Sequence, residues 1–208
     1  MNTVKILHCA DIHIGALESF LKNKAENRRR ETLLTFERIV EICKTQQVQV
    51  LAIAGDLFDS NSVESSFVEA VFNKIAEIPD TKVIFSAGNH DPLNHQSPFV
   101  KYRLPKNLFV LGAKETVLTF EDINLKAYGK AFETAFLQGV SGPEIIPDND
   151  DFIHLLVQHG ELFTSADSRY NPISREFIEK SNMDYIALGH IHKKSEIEKI
   201  GNTYYFFQ

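Results

Sequence analysis

Eight side chains able to bind a metal or move a proton fall in five short clusters along the 208-residue chain: Asp11 and His13, Asp56, Asn89 with His90, His159, and His190 with His192. Imidazoles, carboxylates and an amide oxygen form a mixed nitrogen and oxygen ligand set without thiolate. Such a set suits borderline-hard divalent ions such as Mn²⁺, Fe²⁺ or Zn²⁺. One carboxylate can bridge two ions. Asp-x-His lets alternate residues leaving a strand converge on one ion, and His190-x-His192 lets two imidazoles of one loop reach different ions. Two ions about 3.5 to 4 Å apart clamp the attacking and leaving oxygens of a phosphoryl displacement and acidify a bridging water. The chemistry indicated is phosphoester hydrolysis.

The elements that must hold these residues can be read from the apolar pattern. Val4 to Cys9, Val48 to Ala54 and Lys82 to Ala87 are short apolar runs that predict buried strands. Between them, Leu33, Phe36, Ile39, Val40 and Cys43 recur at helical spacing within 29–46, and Phe67, Val68, Val71, Phe72, Ile75 and Ile78 do so again. Alternating strands and helices predict right-handed βαβ units and a parallel sheet. Each strand ends in one of the polar clusters, the third at Gly88-Asn89-His90-Asp91-Pro92, and ligands in open α/β sheets bind at that edge.

The second half is less regular. Leu108 to Leu111, Val117 to Phe120 and Leu125 to Tyr128 predict shorter strands, the last two a hairpin around Glu121-Asp122, so antiparallel pairing is expected here. Phe152 to Gln158 leads to His159-Gly160, a short helix is predicted over Ile173 to Asn182, and Tyr185 to Leu188 leads to Gly189-His190. A hairpin turning at Gly201-Asn202 closes the chain inside a strand, which reads as a piece with more sequence beyond residue 208. Residues 130–150, rich in Gly, Pro and Asp, read as a loop that either lines a cleft or is solvated.

Asp11-x-His13, Gly55-Asp56-x-x-Asp59, Gly88-Asn89-His90-Asp91, His159-Gly160 and Gly189-His190-x-His192 together resemble the five motifs of calcineurin-like metallophosphoesterases. Within that superfamily the runs Ile-Leu-His-Cys-Ala-Asp-Ile-His-Ile-Gly, Ala-Gly-Asp-Leu-Phe-Asp and Ser-Ala-Gly-Asn-His-Asp-Pro resemble the SbcD and YhaO type of DNA repair exonuclease. The resemblance implies an α/β layered β-sandwich of mixed sheets flanked by helices, with the active site at the C-terminal strand ends. It implies one metal on Asp11, His13, Asp56 and His192, a second on Asp56, Asn89, His159 and His190, and Mn²⁺ as the working ion. His90 would then be the catalytic imidazole, with Asp91 fixing its tautomer or, alternatively, serving as a turn residue before Pro92. Asp59 either supports a ligand or caps the following helix. Protein serine/threonine phosphatases carry Asp-Arg-Gly after the second motif, where Asp59-Ser60-Asn61 stands here, which argues against that branch.

Residues 1–208 read as one nuclease catalytic domain, without the capping and partner-binding regions that nucleases of this type carry. The expected function is a two-metal DNA repair nuclease. A phosphodiesterase or phosphatase for a small nucleotide or phosphomonoester is the alternative, and a metal-binding scaffold without turnover a third reading. DNA is the expected partner. An SbcC-like coiled-coil ATPase, bound through a region outside this chain, and a homodimer follow from resemblance.

A formal charge of −6 gives no global basic field for a polyanion, although two bound divalent ions would add +4 where a phosphate sits. Lys22, Lys24 and Arg28 to Arg30 form one basic cluster, which either steers a phosphate backbone or solvates a helix start. Two cysteines, both in apolar settings, cannot build a disulfide framework. No segment reads as a signal peptide or bilayer span, so a cytoplasmic protein away from membranes is expected. His8 and His154 read as histidines of the packed strands and His95 as a loop residue facing water, while Phe99, Tyr102 and Phe109 read as core rather than base-stacking rings.

Overall fold

The apolar runs pair into two sheets, and which neighbour each strand takes decides where the polar clusters meet. The computed structural model describes residues 3–16, 25–137, 146–163, 167–192 and 195–207. In the first sheet, β1 (Ile6–Cys9), β2 (Val50–Ile53), β3 (Lys82–Phe85) and β4 (Leu108–Val110) lie in the order β1-β2-β3-β4, every pair parallel. The second sheet holds β5 (Thr116–Phe120), β6 (Leu125–Gly129), β7 (Ile153–His159), β8 (Tyr185–Gly189), β9 (Glu198–Ile200) and β10 (Thr203–Phe207), in the order β5-β6-β7-β8-β10-β9.

Among the described residues the helices are α1 (Ala25–Thr45), α2 (Ser65–Ala76), α3 (Pro98–Lys101) and α4 (Arg175–Lys180). Two sheets flanked by helices are the architecture the resemblance implies, and the second sheet is the mixed one. The expectation of antiparallel pairing in the second half is narrowed by the structure. Such pairing is confined to the β5–β6 and β9–β10 hairpins, while β6, β7, β8 and β10 run parallel. The long connection after β6 and the α4 crossover after β7 return the chain to the same starting edge, which parallel strands require. The β5–β6 turn is a 3-10 turn over Glu121–Ile123 closed by Asn124 in the left-handed region.

Alternation along β2 builds two cores at once. Leu51 and Ile53 pack with Phe36, Val40 and Cys43 of α1 and with Val68, Val71 and Ile75 of α2. Val50, Ala52 and Ala54 face the second sheet and meet Leu155, Val157 and Ala187. On the far side, Leu156, Ile186 and Leu188 pack on Ile178 of α4. The layers are therefore helices, sheet, sheet, helix, and a strand buried on both faces must be a continuous apolar run, as β2 is. The residues between the sheets include Ala10, Ala52, Ala54, Ala127 and Ala187, small side chains that allow close approach of the two backbones. Ion pairs tie the outer helices, Arg29 to Glu64 at 2.9 Å and Glu77 to both Lys44 (2.6 Å) and Lys74 (3.0 Å). Among the described residues no helix is long and apolar enough to cross a membrane.

Candidate metal centre

Strand ends that are level across a sheet release their loops side by side. Cys9, Ile53 and Phe85 are in register across the first sheet, and His159 is in register with Gly189 in the second. Past these ends, the first two loops pair with each other: the Asp11 N–H donates to the Gly55 carbonyl (3.1 Å), His13 N–H to Asp56 (3.0 Å) and Ile14 N–H to Leu57 (2.9 Å). This local ladder holds Asp11, His13 and Asp56 at φ of +53°, +51° and +50°, and His190 stands at +105°. Non-glycine residues at positive φ cost of order 1 kcal/mol or more each, and such strain clusters at functional sites. Two motif glycines let the sheets close up: a Cβ on Gly55 would enter the His159 imidazole, and one on Gly189 would strike the Ala54 carbonyl and the Ala10 side chain.

The seven residues expected as ligands come together in two groups around Asp56. In one, His13 Nε2 lies 3.3 Å from His192 Nε2, and His192 Nε2 lies 3.6 Å from Asp11 Oδ1. In the other, Asn89 Oδ1 lies 2.9 Å from His159 Nε2 and 3.1 Å from His190 Nδ1, and those two ring nitrogens are 3.2 Å apart. Asp56 Oδ2 sits between, 3.4 Å from His159 Nε2 and 3.9 Å from His13 Nε2. Donor atoms of Asp11, His13 and His192, and of Asp11, Asp56 and His159, each fall within 4.8 Å of one another. Lone pairs crowded so closely are what a pair of divalent cations would satisfy, and the donor set fits such ions.

The electrostatics follow from burial against mutual charge. Burial pushes the Asp56 carboxyl up, but the hydrogen-bonded His159 imidazole and the His90 backbone N–H (2.9 Å) reverse this and hold it down at about 2. Burial opposes charge on His159, yet the Asp56 carboxylate, with Asp11 behind it, raises its pKa above the ordinary value. Burial raises Asp11 and lowers both His13 and His190. Neutral imidazoles beside an ionised bridging carboxylate are the protonation states a metal requires.

His90 stands beside this centre, its ring 4.6 Å from that of His13 and its side chain 44% exposed, so solvent and substrate can reach it. Its Nδ1–H donates to the Asp59 backbone carbonyl (3.0 Å), which leaves Nε2 as the basic nitrogen. That corrects the expected role of Asp91. The Asp91 carboxylate is fully buried and accepts the backbone N–H groups of Asp56 (3.2 Å), Gly88 (2.9 Å) and Phe58 (3.1 Å), so it fixes the loops and its hydrogen bonds do not go to His90. Burial, then the Asp56 charge, pushes Asp91 up to about 7 against those three bonds. For Asp59 the supporting reading holds, because Oδ1 lies 3.2 Å from His13 Nδ1 and the N-cap of α2 is Glu64.

Several neighbours have no signal in the sequence. Asn171, buried and at φ +49°, donates to the His159 carbonyl at 2.9 Å. Phe132 meets the His159 ring edge-on at 5.6 Å, and Tyr170 lies against the His190 ring at 4.7 Å. Glu161 Oε1 lies 3.4 Å from His190 Nε2. Each owes its place to the return of the 161–173 loop, or of the segment after β6, onto the ligands.

The other candidates stay outside the centre. His8 Nδ1 bonds the Tyr185 hydroxyl (3.1 Å) and His154 Nδ1 the Tyr128 hydroxyl (2.9 Å), while His95 is exposed. Phe99 stacks on Phe85, Tyr102 packs on Phe72 and Phe109 on Phe120, all core contacts. In the basic cluster Arg29 pairs with Glu64, whereas Lys22, Lys24 and the Arg28 side chain lie outside the described residues, as do residues 138–145 of the loop.

Comparison with known proteins agrees with this geometry. The family model described as calcineurin-like phosphoesterase matches residues 4–194. The chain is 23% identical to the DNA double-strand break repair protein Mre11 of Methanopyrus kandleri over 95% of this chain and 46% of that one. It is 25% identical to the uncharacterized metallophosphoesterase YhaO of Bacillus subtilis over 93% and 50%. Against the SbcD component of the SbcCD nuclease of Rhodobacter capsulatus it is 31% identical over 43% and 22%. The chain thus spans about half the length of the first two relatives. The crystal structure of TT1561 of Thermus thermophilus superposes with a TM-score of 0.59 at 12% identity, covering 99% of this chain and 89% of that one, a likeness of fold.

Proposed function

The chain belongs to the calcineurin-like phosphoesterase family, and from that premise we propose that it is a metal-dependent phosphodiesterase that hydrolyses DNA. One observation carries the reading: a single buried carboxylate, Asp56, lies between two groups of neutral nitrogen and oxygen donors, with the exposed imidazole of His90 beside them. Asp11, His13, Asp56 and His192 would hold one ion, and Asp56, Asn89, His159 and His190 the other, with Mn²⁺ the expected species. When bound, such a pair supplies Lewis acidity toward a phosphoryl oxygen and a water acidified to near neutrality.

The protein's own groups do the rest. The Asp59 carbonyl fixes the His90 ring so that Nε2 can carry a proton to the leaving oxygen as the P–O bond breaks and water adds to phosphorus. Asp91 holds three backbone N–H groups of the Asp56 and Gly88 loops, which keeps the bridging carboxylate in place. Support for DNA as substrate, and for association with a coiled-coil ATPase or a second copy, comes from the relatives named Mre11 and SbcCD nuclease.

The test is hydrolysis of linear duplex DNA, single-stranded DNA and a chromogenic phosphodiester, with Mn²⁺ and with EDTA, by the wild type and His90→Ala. Mn²⁺-dependent DNA cleavage that falls about 10²- to 10⁴-fold in His90→Ala is expected. Turnover of the small diester alone overturns the DNA assignment in favour of a small phosphoester. Metal binding without any turnover overturns catalysis in favour of the scaffold.

A further inference from the structure

A metal-ligating imidazole works only when one ring nitrogen is bare toward the ion, and the hydrogen bond made by the other nitrogen decides which one that is. Three of the four imidazoles in the centre have an oxygen at the far nitrogen. His159 Nδ1–H donates to the Ala54 carbonyl (2.9 Å), and His13 Nδ1 lies 3.2 Å from Asp59 Oδ1, so both present Nε2 to the donor cluster. His190 is turned the other way round. Its Nδ1 faces Asn89 Oδ1 and His159 Nε2, so Nε2 must carry the hydrogen, and 3.4 Å from Nε2 lies Glu161 Oε1.

Glu161 is itself held. Its second oxygen, Oε2, accepts from the Ser168 hydroxyl at 2.6 Å, and its backbone N–H donates to the Tyr170 carbonyl at 3.0 Å. Tyr170 in turn lies against the face of the His190 ring. The need for such a clamp is visible in the backbone: His190 sits at φ +105°, and its N–H is anchored on Asp11 Oδ2 at 2.8 Å. Residue 190 is thus pinned at its main chain, while its ring direction is left to its side-chain neighbours.

We propose that Glu161, fixed by Ser168, is the positioning residue that orients His190 and sets the tautomer by which its Nδ1 ligates the second ion. The inference rests on the two-ion reading above and deepens it, since it assigns one ion's affinity to a carboxylate outside the five motifs. It also predicts asymmetry, because Glu161 reaches the second group of donors through His190, whereas the first group's His13 has Asp59 at its far nitrogen.

Mn²⁺ binding followed by calorimetric titration and by the spin-coupled electron paramagnetic resonance signal of a paired manganese centre tests it. The wild type should bind two ions and give the coupled signal. Glu161→Ala should lose about ten- to hundredfold in affinity for one ion and keep the other, with the coupled signal weakened. Glu161→Gln, which keeps an acceptor oxygen, should restore part of the affinity. Ser168→Ala leaves Glu161 in place and should give a smaller loss at the same site, which serves if Glu161→Ala does not fold. Two ions bound by Glu161→Ala and Ser168→Ala with unchanged affinities would overturn the role of Glu161 alone, as would equal losses at both sites. A wild type that binds fewer than two ions would overturn the two-ion reading and the inference together.

Discussion

Replacing Asp91 by Ala leaves three buried backbone N–H groups, those of Asp56, Phe58 and Gly88, without their acceptor. Each unsatisfied buried donor costs about 1 to 3 kcal/mol, so a loss of at least about 3 kcal/mol in unfolding free energy is expected for Asp91→Ala, measured with urea in EDTA so that metal plays no part. Asp91→Asn keeps one acceptor oxygen and should lose less. Were Asp91 only an orienter of His90, activity would drop with stability intact, and that outcome would sink the structural role. The pair His90-Asp91 shows where residue identity stops being informative. The ligands were legible because each follows a strand, and a residue type at a strand end has few directions to point. A carboxylate next in sequence to a histidine faces the opposite way along an extended chain, toward the loop amides. The orienting oxygen for His90 proved to be the backbone carbonyl of Asp59, an atom every residue carries and no sequence distinguishes.

His8 is an element-scale group, wedged between β1 and the second sheet against Tyr185 and Phe206. Burial lowers its pKa from 6.5 to about 4. A depressed folded-state value means the neutral ring is favoured in the folded protein, so the penalty for charging it is absent above pH 6.5 and stability is lost as pH falls from there through 4. The size is about 3 kcal/mol at 1.36 kcal/mol per unit. Urea unfolding at a series of pH values should therefore show a shallower acid limb for His8→Leu than for the wild type between pH 6.5 and 4. Superimposable slopes would mean that His8 does not titrate with unfolding. The strands themselves were readable, since four- to seven-residue apolar runs stop at polar clusters. Their partners were less so. Periodicity says that β7 is buried on both faces, and only the completed sheet says that it lies between β6 and β8, running parallel to both.

Across the whole molecule, the first sheet contributes Asp11, His13, Asp56 and Asn89, and the second contributes His159, His190 and His192. Neither sheet carries a complete set, so a bound ion pair would fasten the two layers together at the edge where the alanine-lined interface already brings them close. Anything that binds only the folded state stabilises it by mass action, about 2.7 kcal/mol for each ion at a hundredfold excess over its Kd. For a domain of this size that corresponds to a rise in Tm of roughly 5 to 10 °C per ion. Scanning calorimetry with EDTA and with excess Mn²⁺ should show that rise in the wild type. Asp56→Asn weakens the one carboxylate that lies between both groups, so most of the shift should disappear in that variant. Replacing a residue of one group, as in His192→Ala, should remove about half. If Asp56→Asn retained the full shift, the ions would not depend on a shared carboxylate, and the fastening of one sheet to the other would have to come from apolar packing alone.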